Sequence, residues 1–183
     1  MNVDATPRRS RKLVLFFADV PGYARSFRTH DDLAMAGFID RFYSLCAGSV
    51  ASHGGRVVKF IGDACHAVFP DDHGSAAVDC ALELQTATRR LGHEAALDVD
   101  LGVSLHCGSV VEGQYGGSDH GQYDVIGREM NQTVLMGRGP GLRISEPVYR
   151  QLASNRRTPW RKHKLPATYR YSPSSRTPDA EGE

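Results

Sequence analysis

Residues 13–18 form an unbroken apolar run that is closed by Asp19 and then by Pro21-Gly22, the pattern of a buried strand stopping at a turn. Leu33, Phe38, Phe42, Leu45 and Val50 then recur at helical spacing. Asp31 and Asp32 place negative charge at the positive end of that helix, and Gly54-Gly55 ends it. Two short β-prone runs, 56–60 and 64–69, flank Gly62-Asp63 and predict a hairpin. A second helix is expected from Asp71-Asp72 onward, carrying Ala76, Val78, Cys80, Leu82, Leu84 and Leu91. Residues 98–107 alternate, with Val99, Leu101, Val103 and Leu105 on one face of a half-buried strand. The order β-α-β-β-α-β predicts an α+β fold: a ferredoxin-like core with helices on one face of an antiparallel sheet, plus a C-terminal extension.

The extension reads as a Gly-rich projecting arm over 108–121, a strand at 123–126, a helix at 128–136 and a final helix near 146–152. An edge strand is expected at 169–171. Residues 1–11 read as a flexible basic arm, 12–171 as one domain, and 172–183 as a disordered tail rich in Ser, Pro and acid.

Composition narrows the class. A chain of 183 residues with 40% hydrophobic and 23% charged residues suits one globular domain and excludes a collagen-like or wholly disordered protein. The longest apolar run is too short for a membrane span, and residues 1–12 lack an apolar signal segment, so no membrane insertion and a cytoplasmic location are expected. Cys46, Cys65, Cys80 and Cys107 show no C-x-x-C spacing and read as reduced core thiols. The net charge of +1 conceals a division: residues 13–155 hold 11 Lys and Arg against 17 Asp and Glu, and the two ends hold 11 against 4. The basic clusters at Arg8, Arg9, Arg11, Lys12 and at Arg156, Arg157, Arg161, Lys162, Lys164 come with no nucleic-acid module, so no nucleic-acid partner is expected.

Asp19 and Asp63 stand where strands meet turns, positions that hold a carboxylate rigidly in the open. A converging pair there suffices to hold Mg²⁺ or Mn²⁺ with water and phosphate oxygens. Around them, five segments occur in order: FADVPGY at 17–23, GGRVVKFIGDACHAVF at 54–69, LGVSLHCG at 101–108, YDVIGREMN at 123–131 and ISE at 144–146. Together they resemble the catalytic domain of class III nucleotidyl cyclases, the adenylate and guanylate cyclase family. The resemblance implies conversion of a nucleoside triphosphate to a 3′,5′-cyclic monophosphate and pyrophosphate. It makes Asp19 and Asp63 the ligands of two divalent metal ions, and puts phosphate at the backbone of Val20, Pro21, Gly22 and Tyr23. It makes Lys59 and Asp124 the base readers and Asn131 the residue that orients the ribose. A Lys donor with an Asp acceptor suits adenine, so ATP is the expected substrate. The family builds its sites across a homodimer interface, metal aspartates from one chain and base readers from the other.

The sequence departs from the family at Leu135, where an arginine is usual for stabilising charge on the transferring phosphate. Arg138, between Gly137 and Gly139, is the expected substitute, with Arg128 the other choice. Lys162 and Lys164 are the nearest candidates for a terminal-phosphate lysine. His66 is expected to face the core or a dimer contact. Two alternatives stay open: a pyrimidine cyclase acting on UTP or CTP in antiphage defence, with Tyr23 or Phe27 shrinking the base pocket, and a catalytically weak pseudo-cyclase that binds nucleotide or a partner.

Overall fold

The computed structural model describes residues 7–117, 119–137, 139–164 and 168–173. The chain runs β1 (Arg9–Asp19), α1 (Tyr23–Ser26), α2 (Asp32–Ser52), β2 (Arg56–Ile61), β3 (Ala64–Pro70), α3 (Gly74–Glu94) and β4 (Gly102–Tyr115). These elements form the expected βαββαβ core, with strands in the spatial order β2-β3-β1-β4. The extension adds β5 (Gln122–Ile126), α4 (Arg128–Leu135), β6 (Gly141–Ser145), α5 (Glu146–Gln151), a 3₁₀ turn, β7 (Trp160–Lys164) and β8 (Thr168–Tyr171). β6 continues the sheet parallel to β4, β8 and β7 follow, and β5 pairs with the far half of β4.

Alternation along β1 separates two cores. Val14, Phe16, Ala18 and Val20 pack with α2 and α3, whereas Leu13 and Leu15 join Val68, Val110, Val125 and Met130 on the opposite face. Asp19, in step with Leu13 and Leu15, belongs to that second face, which α4 and β5 cover only in part. The Asp31 carboxylate caps α2 by accepting the Ala34 N–H at 2.8 Å. All four cysteines are buried free thiols. No helix among the described residues is long and apolar enough to cross a membrane.

Four expectations are corrected. Residues 9–11 are not part of a flexible arm: they open β1, and Arg9 and Arg11 pair with Glu112 of β4. The second helix starts at Gly74 instead of Asp71, because Gln151 brackets the preceding turn, accepting the Gly74 N–H and donating to the Asp71 carbonyl. The expected projecting arm begins instead as the second half of β4, where Gly108 and Gly113 admit the side chains of Glu129 and Arg8. The expected edge strand is interior: β8 lies between β6 and β7, and β7 takes the edge. Residues 174–183, most of the expected tail, lie outside the described residues.

Candidate active site

Strand ends and one helix bring the expected residues into two groups. The first is a cavity of about 440 Å³ between β2, β3, β5 and α4, a volume suited to a small molecule. Lys59, Asp124 and Asn131 all line it. Lys59 Nζ lies 2.6 Å from Asp124 Oδ2, and the other carboxylate oxygen accepts the Val125 N–H at 2.8 Å, so this acceptor is held in a fixed direction. His66 forms part of the wall and is buried, with its ring against the Met130 sulfur. Burial, reinforced by the Lys59 charge, lowers its pKa to about 4, so it is a neutral wall and not a charged ligand group. Tyr23 and Phe27 do not line this cavity: Tyr23 donates its hydroxyl to the Met35 carbonyl and packs against Phe38 and Phe27.

The second group is the carboxylate end of the sheet. Asp19 is in register with Ala64, and the Val20 N–H donates to the Asp63 carbonyl at 3.2 Å, which ties the end of β1 to the β2–β3 turn. Gly62 takes φ 58 in that turn, and Tyr43 donates its hydroxyl to the Gly62 carbonyl at 2.6 Å. Burial and, next, the negative charge of Asp63 raise the pKa values of Tyr23 and Tyr43, which places both phenols within electrostatic reach of that carboxylate. Gly102 is required beside Asp19: a Cβ there would stand 2.7 Å from Asp19 Oδ1 and 2.6 Å from the Gly139 carbonyl. Among the described residues no side chain donates to the Asp63 carboxylate, and two carboxylates, one on a strand end and one in the turn tied to it, are oxygen donors of the kind a hydrated Mg²⁺ or Mn²⁺ takes.

The Val20–Tyr23 segment offers less to phosphate than its sequence implies. The Val20 N–H is given to Asp63, the Tyr23 N–H to the Val20 carbonyl at 3.1 Å, and Pro21 has none, which leaves Gly22. Leu135 is 77% exposed on α4, Arg128 opens the same helix from an exposed position, and Arg138 lies outside the described residues. Lys162 is on the exposed β7 edge, beside Arg161, His163 and Arg170.

One charged group was missed in the sequence. Arg143, in the middle of β6, is 5% exposed, and its guanidinium donates to the carbonyls of Gly139, Pro140 and Gly141 at 3.0–3.4 Å. Burial and then the Arg170 charge lower its pKa, and Asp19 opposes them. Arg143 therefore clamps the α4–β6 loop and lends positive charge to the Asp19 end. Its signal was available: an arginine flanked by Leu142 and Ile144 in a short apolar strand.

A model of the adenylate and guanylate cyclase catalytic domain matches residues 6–164. An adenylate cyclase of Anabaena cylindrica is 24% identical over 165 residues, covering 83% of this chain and 33% of its own length. This chain thus spans about a third of that relative. Among solved structures, the adenylyl cyclase CyaB from P. aeruginosa superposes with a TM-score of 0.80 at 17% identity, over 93% of this chain and 98% of that one. The guanylyl cyclase Cya2 gives 0.78 at 18% identity, over 92% and 96%. At such identities the superpositions speak for the fold alone. The family match runs from the start of β1 through β7, and every expected site residue lies within it; the chain belongs to the adenylate and guanylate cyclase catalytic domain family.

Proposed function

We propose that this chain is a nucleotidyl cyclase that works as a homodimer and prefers ATP. The observation that carries the reading is the Lys59–Asp124 pair at 2.6 Å, sharing one cavity with Asn131, while Asp19 and Asp63 stand outside that cavity on a strand end and the turn tied to it. A single chain thus presents both halves of a site, apart from each other. A two-fold pairing that lays one chain's carboxylates against its partner's cavity completes two equal sites.

The reaction forms a bond from the ribose O3′ to the α-phosphorus and breaks the bond from that phosphorus to the bridging oxygen, releasing pyrophosphate and the hydroxyl proton. Asp124 accepts from the adenine amino group and Lys59 donates to a ring nitrogen, which fixes the base. Asn131 holds the ribose so that O3′ lies in line with the leaving oxygen. Asp19 and Asp63 would hold divalent metal, which supplies charge neutralisation at the triphosphate and acidifies the hydroxyl. Arg143, through the loop it clamps, keeps the carboxylate end in shape.

The test is incubation of the purified chain with ATP, GTP, UTP and CTP in Mn²⁺, with and without chelator. Cyclic AMP as the main product, abolished by chelator and by Asp63→Ala, is expected. Cyclic UMP or CMP alone would overturn the ATP assignment, and nucleotide binding without any cyclic product above the Asp63→Ala control would overturn the enzyme.

A further inference from the structure

A second cavity, of about 390 Å³, opens on the same sheet face at the opposite end of β1. Arg9 and Asp19 bound an eleven-residue strand, so the two ends lie about 33 Å apart. Arg9, Arg11 and Arg56 line this cavity against a single acid, Glu112, a formal surplus of two positive charges.

Each arginine already has a partner in the protein. Glu112, with its side chain 7% exposed, accepts from Arg9 Nε at 2.7 Å and Arg11 at 3.4 Å through one oxygen, and from the Tyr123 hydroxyl at 2.8 Å through the other. Both carboxylate oxygens therefore face donors, and Glu112 orients the arginines without filling the cavity. Arg56 sets its guanidinium carbon 3.7 Å from the centroid of the Tyr123 ring, a cation–π contact that holds the side chain at the cavity wall and leaves its N–H groups without an acceptor among the described residues. Arg9 and Arg11 remain 66% and 48% exposed and keep N–H groups to give. Three guanidinium groups held before a ligand arrives are the arrangement that recognises a phosphate dianion at low ordering cost.

This cavity also adjoins the base pocket. β2 and β5 abut without being hydrogen-bonded neighbours in the sheet, and two side-chain rungs join them: Arg56 with Tyr123 and, further along, Lys59 with Asp124. A ligand that draws Arg56 toward itself loads the first rung, and the second is three residues away on β2 and one on β5.

We propose that this cavity binds a small ligand bearing a dianionic phosphate group, and that its occupancy alters nucleotide affinity through the Arg56–Tyr123 rung. The second half rests on Lys59 and Asp124 reading the base; the first does not. The first experiment titrates the full chain with inorganic pyrophosphate by calorimetry in chelator, where the Asp19–Asp63 end has no metal with which to hold it. One pyrophosphate per chain is expected, weakened about tenfold by Arg56→Ala or Arg11→Gln and unchanged by Asp19→Asn, with circular dichroism confirming each fold. No binding, wild-type binding in both arginine variants, or loss of binding in Asp19→Asn overturns the site. The second experiment measures KM for ATP against inorganic phosphate. A shift of about twofold or more in the wild type that disappears in Arg56→Ala is expected, and equal behaviour of the two overturns the coupling. A chain without turnover still gives the first result, so the two readings fail separately.

Discussion

His66 shows how one buried side chain serves the site while setting a cost. It stands 4% exposed beside Lys59, where a protonated ring would set a second, buried cation next to the lysine. Its folded pKa of about 4 lies below the ordinary 6.5, so between these values the unfolded chain binds the proton that the folded chain refuses. Stability from this residue is complete above pH 6.5, falls as the pH drops toward 4, and loses no more below that. The span corresponds to about 3 kcal/mol. Urea denaturation of the wild type between pH 7 and 4 should therefore show a slope that His66→Gln flattens, whatever that variant's absolute stability. An unchanged slope would show that His66 is not the group responsible. Leu135 stands as the opposite case, an apolar residue 77% exposed on the helix that carries Asn131, where burial gives no reason for it.

At the scale of elements, the close approach of hairpin and helix is set by one glycine. Gly55 joins α2 to β2, and a Cβ there would lie 2.5 Å from the buried Phe69 ring. Gly55→Ala should cost about 1–3 kcal/mol by thermal or chemical denaturation, since a ring only 1% exposed in the core has little room to give way. Gly48→Ala, in an exposed part of α2 with nothing within 4 Å, should be neutral or gain up to about 1 kcal/mol, which makes it the matched control. Local pattern made β1, α2, the β2–β3 hairpin and α4 legible, because each is written in a run of neighbouring residues. The start of α3 was not, since it depends on Gln151, distant in sequence, and the glycines of β4 read as loop because the side chains they admit come from other elements. β7 escaped for the same reason: WRKHK is a polar string, and only its pairing with β8 makes it a strand. The candidate site was legible further than the fold around it. Lys59, Asp124 and Asn131 share a cavity, whereas Arg143 announces itself only as a charge between Leu142 and Ile144, and the three carbonyls it holds are set by the loop's path and not by a motif.

For the whole molecule, the decisive question is whether the two groups of residues meet across a pair of chains. Apolar side chains stand exposed beside them: Ile61, Ile126, Val134 and Leu135 are 39–77% exposed, and Ile61, Ile126 and Val134 line the cavity that holds Lys59, Asp124 and Asn131. Large apolar side chains gathered at the mouth of a polar site suit an interface better than solvent. A shared site makes a prediction that no single-chain site can imitate. Asp19→Asn damages the carboxylate end and spares the cavity, while Asn131→Ala does the reverse, so each homodimer has two broken sites. In a mixed dimer the intact carboxylate end of one chain meets the intact cavity of the other, and the second site carries both lesions. Random pairing makes half of all dimers mixed, each with one good site of two, so refolding the two inactive variants together should restore about a quarter of wild-type turnover. If both variants remain folded and dimeric and their mixture stays inactive, the site lies within one chain, and the two-fold arrangement proposed for this cyclase domain is wrong.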